Sequence, residues 1–213
     1  DVANALWAYG TLGFDPGPEH MTPLQEALVR ALETLPPAEL SSAVWAIAAL
    51  GYRFEPTDVC AIAAAAERQL RGGGGGGTAQ AVSNVVWALA VMAPAVLAHC
   101  AGLWGVVATH AAVLDARGLS QVLHSSAACA VATGTYQGAE EALGALLPHP
   151  LQERAWAVVR GSESHPSQLQ RGVAAALEGM GLSCTLEQPV LHGLLCVDVA
   201  THWNGVQVAT STQ

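Results

Sequence analysis

The fold is decided by residues 40–51, which have the sequence LSSAVWAIAALG, because this stretch recurs along the chain. The tryptophan in its middle, Trp45, has counterparts 38 residues earlier at Trp7 and 42 residues later at Trp87. A fourth copy has His124 in the tryptophan position, 37 residues after Trp87. A period near forty residues is typical of helical-hairpin repeats, which bury their apolar faces by stacking on their neighbours. The sequence therefore predicts a mostly α fold, an α-solenoid with about 38 residues per repeat.

Glycine and proline residues mark the ends of the helices in the predicted repeats. Pro37 can occupy the first turn of a helix, and Gly51 suits a left-handed C-cap. Pro94 divides the two helices of the third repeat, and Gly134 marks the turn of the fourth. The glycine run at 72–77 has no preceding strand and no Gly-Lys-Ser/Thr ending, so we expect a flexible insertion and not a phosphate-binding loop.

The pattern changes after the repeats, and we expect two domains: helical repeats at 1–160 and a small α/β domain at 161–213. One amphipathic helix runs as far as Met180, with an apolar stripe along one face. Period-two alternation and an Asn-Gly turn signal then predict hairpins. The stripe consists of Leu169, Val173, Ala176, Leu177 and Met180. The strands are predicted at 182–186, 190–200 and 206–209. The turns between them are predicted at Gly193 and at Asn204-Gly205.

Composition restricts the classes of function. The net charge is −9 and all eight cations are arginine, so the chain lacks the basic face that most nucleic-acid binders show. No stretch is apolar and long enough to predict a membrane span. The five cysteines form no C-x-x-C pair, which predicts free thiols in a reducing compartment.

The repeated pattern (Asn/Ser)-x-(Leu/Val)-Trp-Ala, with the segment LPPAEL at 35–40 ahead of Trp45, resembles the octotricopeptide repeat, a family abundant in green algae. Residues 169–209 resemble the RAP domain that often ends such proteins, on the segments Gly181-Leu182, EQPV at 187–190 and GLLCVDV at 193–199. The last strand ends without the Asp-Gly-Pro usual in that domain, so we expect a divergent or truncated copy.

The resemblance implies a role in organellar gene expression, in the mitochondrion or the chloroplast. The expected function is binding of a specific messenger or ribosomal RNA without catalysis, with no cofactor, no metal and no membrane partner, among other proteins of a ribonucleoprotein assembly. The alternative is a protein–protein scaffold, such as a subunit of an organellar ribosome. A nuclease ranks last: the RAP domain is thought to share a nuclease-like fold, and Asp198 matches its first acid, but the strand at 206–210 supplies no second acid or lysine.

Polar side chains beside the tryptophans are the candidates for contact with RNA bases: Asn4, Ser42, Asn84 and Gln121, with Ser41, Ser83 and Ser120 as further possibilities. Arg53 and Arg71 are the candidates for contact with phosphate. The amides of Asn84 and Gln121 can pair with base edges. Two alternatives remain open: the serines cap helix starts, and the arginines form ion pairs with neighbouring glutamates. Trp7, Trp45 and Trp87 are predicted to pack the repeats together and not to stack on bases.

Overall fold

The computed structural model of the protein describes residues 2–71, 76–161, 165–203 and 206–210. This part of the chain is mostly helical, with a small three-stranded antiparallel sheet near its C-terminal end. The chain divides into two compact units, 1–155 and 156–213, whereas the sequence analysis placed the boundary after residue 160. Among the described residues, no helix has the length and apolarity needed to cross a membrane.

The helices follow one another through the first unit and into the second. They are α1 Val2–Leu12, α2 Pro18–Ala31, α3 Pro37–Ala49, α4 Pro56–Leu70, α5 Gly76–Met92, α6 Pro94–Leu97, α7 Ala101–Thr109, α8 Ala116–Ala132, α9 Glu140–Leu143, α10 His149–Arg160 and α11 Gln168–Gly179. The strands are β1 Cys184–Val190, β2 Leu195–Trp203 and β3 Val206–Thr210, and short 3-10 turns occur at Ala111–Val113 and Leu191–Gly193.

The four helices that carry the repeated motif pack in sequence order. Helix α1 contacts α3, α3 contacts α5, and α5 contacts α8. The intervening helices form a second series, in which α2 contacts α4 and α4 contacts α7. Helices α3 and α5 thus each lie between two other motif helices, and the apolar side chains between the four helices contribute to the core of the first unit. Fully buried members of that core include Leu6, Leu40, Ile47, Leu89 and Leu123.

Small residues let the motif helices approach closely. A Cβ atom placed on Gly10 of α1 would lie 2.6 Å from the Cβ of Ala46 in α3, which is closer than two carbons can pack. Ala46 directly follows Trp45, and the same position holds Ala88 after Trp87 and Ser125 after His124, both buried, and Ala8 after Trp7. The small residues of the motif therefore determine how near adjacent motif helices lie.

The ends of α1 and α3 show why the motif finishes with glycine. Gly13 and Gly51 both have positive φ, 61° and 79°, a conformation that side chains other than glycine rarely adopt. In α3, the N–H of Tyr52 donates to the carbonyl of Ile47 (3.1 Å), and the N–H of Gly51 donates to that of Ala48 (3.0 Å). These bonds satisfy the last carbonyls of the helix. The predicted C-cap at Gly51 and the predicted start at Pro37 are confirmed.

The later repeats differ from the predicted pairs of long helices. The predicted second helix of the third repeat is broken into α6 and α7. The carbonyl of Leu97, at the end of α6, accepts from the indole N–H of Trp104 (3.1 Å) and from the N–H of Cys100 (3.0 Å). The turn at Gly134 is confirmed by its φ of 70°, but the helix that follows it, α9, is only four residues long. The glycines at 72–75, for which we predicted a flexible insertion, lie outside the described residues.

The second unit contains α11 and the sheet. Its strands are in the order β1-β2-β3 with antiparallel pairing, and register is given by Leu186 opposite Val199 and by Thr201 opposite Val208. The turn at Gly193 is confirmed by its φ of 85°. The turn predicted at Asn204-Gly205 lies outside the described residues.

The apolar stripe of α11 is only partly covered. Leu169 and Met180, which belong to it, are 62% and 70% exposed. The helix begins with a capping box in which the Ser167 hydroxyl accepts from the N–H of Gln170. Gln170 and Ala174, one turn apart, are the buried residues of this helix. The helix packs on β1 and β2, and two residues of its apolar stripe, Val173 and Leu177, are half-buried.

Candidate nucleic-acid interface

Every motif helix has one polar residue and one aromatic ring at equivalent positions. The polar residue lies three positions before the ring, and residues three apart are neighbours on one helix face. The residue just before each tryptophan is fully buried, as Leu6, Val44 and Val86 show. Successive residues of a helix point about 100° apart, so the ring turns away from that buried position. We call the set the ladder face; its members are Asn4 with Trp7, Ser42 with Trp45, Asn84 with Trp87, and Gln121 with His124.

The structure brings two of the predicted residues into direct contact. The side-chain N–H of Gln121 in α8 donates to the side-chain oxygen of Asn84 in α5, at 3.4 Å. Both side chains are partly exposed. An amide has two N–H donors and two acceptor lone pairs on its oxygen, so this bond leaves the amino group of Asn84 and the carbonyl of Gln121 available to a ligand. The pair can therefore present one donor and one acceptor group side by side.

At the other end of the ladder face, α1 and α3 enclose a groove of about 240 Å³. Asn4 and Trp7 line it from α1, and Ser42 and Glu39 line it from α3. The remaining lining residues are Ala3 and Ala38. The groove thus contains an indole, an amide, a hydroxyl and a carboxylate within the first two motif helices.

The tryptophans do not occupy buried packing positions. Trp7 is 51% exposed, so only part of its surface can pack between repeats as predicted. Trp45 and Trp87 are also partly exposed. The residue before each tryptophan is buried, whereas the tryptophan side chain itself is partly exposed. A half-exposed indole can both contact the adjacent helix and offer part of its ring to a ligand.

Two of the serines weighed as RNA contacts are buried and make internal hydrogen bonds. The hydroxyl of Ser41 donates to the carbonyl of Ala38 (3.0 Å), and that of Ser83 donates to the carbonyl of Gln80 (3.1 Å). Because both hydroxyls are buried and bonded within their own helices, Ser41 and Ser83 are not contacts for RNA. Ser120 lies one turn before His124, and its hydroxyl is 3.2 Å from the Nδ1 atom of that ring.

The arginines selected for phosphate contact are engaged elsewhere. Arg53, in the turn after α3, donates to the carbonyl of Met92 (3.3 Å), which compensates the negative end of α5. It lines a separate groove of about 490 Å³ beside α2 and α4, and not the groove at Trp7. Arg71 at the end of α4 forms an ion pair with Glu67. Arg68 and Arg30 likewise pair with glutamates, Glu33 and Glu26.

Two residues that we did not predict, Arg117 and Gln80, also lie on the ladder face because of their spacing along the helix. Arg117 and Gln80 each lie seven positions before the ring of their helix, which places them on the same side as Gln121 and Asn84. Both are exposed, and Arg117 makes no hydrogen bond or ion pair with the residues that the structure describes. The signal was present in the i, i+4, i+7 spacing of Arg117, Gln121 and His124.

The described residues contain no group of three or more histidines, cysteines or acids that could hold a metal ion. All five cysteines are free. Burial raises the pKa of the Cys129 thiol to about 12, which keeps it protonated and unreactive at neutral pH. Asp198, the residue on which the nuclease hypothesis depended, lies on β2 and is partly buried.

Comparisons of the chain with models of protein families, with curated proteins and with solved structures find no match.

Proposed function

We propose that this protein is a non-enzymatic RNA-binding protein, an α-solenoid of helical repeats whose ladder face binds an unpaired RNA strand. The observation that carries the proposal is the contact between Asn84 and Gln121, equivalent residues of adjacent motif helices. Sequence-specific RNA recognition mostly targets unpaired bases, which stack on rings and form hydrogen bonds through their edges. The ladder face supplies both kinds of group once per motif helix.

The electrostatics of the ladder face shape the proposal. Three arginines pair with glutamates, Arg53 binds a backbone carbonyl, and by position the ladder face has a single arginine, Arg117. Phosphate contacts give RNA affinity its dependence on salt, with a slope of about −0.7 per phosphate for single strands. Binding through the ladder face therefore relies on base contacts, and its slope of log affinity against log salt is expected near −0.7.

An organellar setting, mitochondrial or chloroplast, is part of this proposal, as is a RAP-like, catalytically inactive second unit. Both rest on the resemblance to octotricopeptide repeat proteins. The mostly helical first unit and the three-stranded sheet of the second are compatible with that resemblance.

The test is photo-crosslinking of the purified chain to a pool of random-sequence, single-stranded RNA, followed by mapping of the crosslinked peptides. We expect crosslinks on peptides from α1, α3, α5 and α8, and a loss of several-fold in affinity for Asn84→Ala and Gln121→Ala. Gln168→Ala is the matched control, because it removes an exposed amide of α11 that lies outside the ladder face. Crosslinks confined to the arginines of α4, or none at all, would contradict the proposal.

A protein–protein scaffold is the second candidate, favoured by the net charge of −9 and by apolar side chains on the ladder face. Val91 and Val131 are exposed and lie four and seven positions after the rings of α5 and α8. Native complexes that keep this protein after digestion with ribonuclease, combined with no crosslinking to RNA, would favour the scaffold. Release of the protein by ribonuclease would favour RNA binding.

A further inference from the structure

The groove between α1 and α3 contains a carboxylate. Glu39 lies six residues before Trp45; in the sequence the same position holds another acid, Asp1, before Trp7, but Ala81 before Trp87 and Gly118 before His124. Glu39 makes no hydrogen bond or ion pair with any residue that the structure describes. Its two oxygens are therefore available as acceptors beside the exposed ring of Trp7.

A carboxylate selects among the four bases by hydrogen-bond chemistry. An ionised carboxylate only accepts, through two adjacent oxygens. Guanine has two neighbouring donors, N1–H and N2–H, on its Watson–Crick edge. Adenine and cytosine place an amino donor next to an acceptor ring nitrogen, and uracil has one N–H between two carbonyls. Each of those three bases would direct at least one lone pair at the carboxylate, so guanine is the base that complements it.

We propose that the groove between α1 and α3 binds one unpaired guanine, stacked on Trp7, with its N1–H and N2–H donating to the carboxylate of Glu39. This assignment rests on the RNA-binding function proposed above and adds a base identity to one position of the ladder face. Asn4, one turn before Trp7, supplies an amide donor suited to the O6 atom of the same base. A good bidentate pair discriminates between bases by about 5-fold to 150-fold.

The experiment measures fluorescence anisotropy of the full chain with short uridine oligonucleotides that carry one central guanine, adenine, cytosine or inosine. We expect the guanine oligonucleotide to bind at least about fivefold more tightly than those with adenine or cytosine. Inosine lacks the 2-amino group and should fall between them. Trp7→Ala should weaken binding of the guanine oligonucleotide, since stacking on aromatic rings contributes to affinity for every base.

Glu39→Gln replaces one acceptor by a donor and should remove the preference for guanine while leaving the remaining RNA affinity in place. Glu55→Gln is the matched control, because Glu55 is an exposed glutamate at the start of α4 and lies outside the groove. A thermal melt of each variant checks that it is folded. The guanine preference must survive in Glu55→Gln.

The outcomes separate this proposal from the one it rests on. Binding that depends on Asn84 and Gln121 but shows no guanine preference overturns the guanine site and leaves the RNA-binding function standing. A guanine preference that persists in Glu39→Gln also overturns the site. Failure of every oligonucleotide to bind overturns both.

Discussion

The amide of Gln121 donates to the amide oxygen of Asn84 across 3.4 Å, although 37 residues separate the two along the chain. That separation is one repeat, so the bond joins equivalent positions of consecutive motif helices. A partly exposed hydrogen bond contributes about 0.5–1.5 kcal/mol to stability. The bond therefore contributes little to the stability of the first unit, and its main effect is to hold two side chains of the ladder face next to each other.

The first prediction concerns that bond. Asn84→Ala and Gln121→Ala should each lower the free energy of unfolding by no more than about 1.5 kcal/mol, and their coupling in a double-mutant cycle should stay below about 1 kcal/mol. Denaturant unfolding of the four proteins measures both quantities. A coupling above about 2 kcal/mol would mean that the pair is part of the packing, and loss of RNA binding in these variants would then report unfolding.

The second prediction concerns the close approach of α1 and α3. Gly10→Ala would place a methyl group 2.6 Å from the Cβ of Ala46, so the helices must separate. We expect a loss of about 1–3 kcal/mol in the free energy of unfolding, as for other overpacked cores. Gly105→Ala in α7 is the control, because nothing lies within 4 Å of the added Cβ. Gly105→Ala should raise the free energy of unfolding by roughly 0.5–1 kcal/mol, because alanine has less backbone entropy than glycine in the unfolded chain. Equal effects of the two substitutions would argue against the close approach.

The third prediction concerns a hydrogen bond between two exposed turns. The hydroxyl of Tyr52 donates to the Oδ1 atom of Asp15 at 2.6 Å. This bond lowers the pKa of Asp15 and raises the pKa of Tyr52 to about 12. The stabilisation linked to Tyr52 is complete below pH 10, where the unfolded phenol titrates, and is lost as the pH rises through about 12. The stabilisation linked to Asp15 is present above pH 3.8 and is lost as the pH falls below that value.

Ultraviolet titration at the tyrosinate band checks this assignment. In the wild type, one tyrosine should ionise near pH 12, and in Asp15→Asn that step should move towards pH 10. Tyr52→Phe should remove the step altogether. A step near pH 12 that is unchanged in Asp15→Asn would assign the shift to some other group.

The fourth prediction concerns thiol reactivity. Cys60 and Cys196 are exposed, whereas Cys129 is buried with a pKa near 12. Only the thiolate reacts with iodoacetamide, so at pH 8 the two exposed thiols should be alkylated in the native protein and Cys129 should be protected until the chain unfolds. Peptide mapping by mass spectrometry reads the result. Rapid labelling of Cys129 under native conditions would contradict its burial.

The fifth prediction concerns α11. Leu169 is largely exposed, so Leu169→Ser should change the free energy of unfolding by no more than about 0.5 kcal/mol. Ala174 in the same helix is buried, so Ala174→Asp should destabilise by more than about 2 kcal/mol, because a charge would be buried without a partner. A larger loss for Leu169→Ser than for Ala174→Asp would mean that Leu169 and not Ala174 lies on the buried side of α11.

Much of the local structure follows from the sequence because its causes are local. Proline opens α3 at Pro37, and glycine closes it at Gly51, since each residue restricts or permits backbone dihedrals regardless of what packs nearby. The break between α6 and α7 did not follow from any such signal. It is accompanied by a bond from the indole of Trp104 to Leu97, a contact that sequence spacing does not reveal.

The recurrence of one motif near every forty residues, by itself, determined that Asn4, Ser42, Asn84 and Gln121 hold equivalent positions and lie one turn before a ring. Only the tertiary structure decided that Gln121 meets Asn84, that Glu39 shares a groove with Trp7, and that the tryptophans are partly exposed. The difference is physical. Periodicity defines the angle of a residue around its own helix, whereas contact and exposure depend on how closely neighbouring helices approach and which faces they cover.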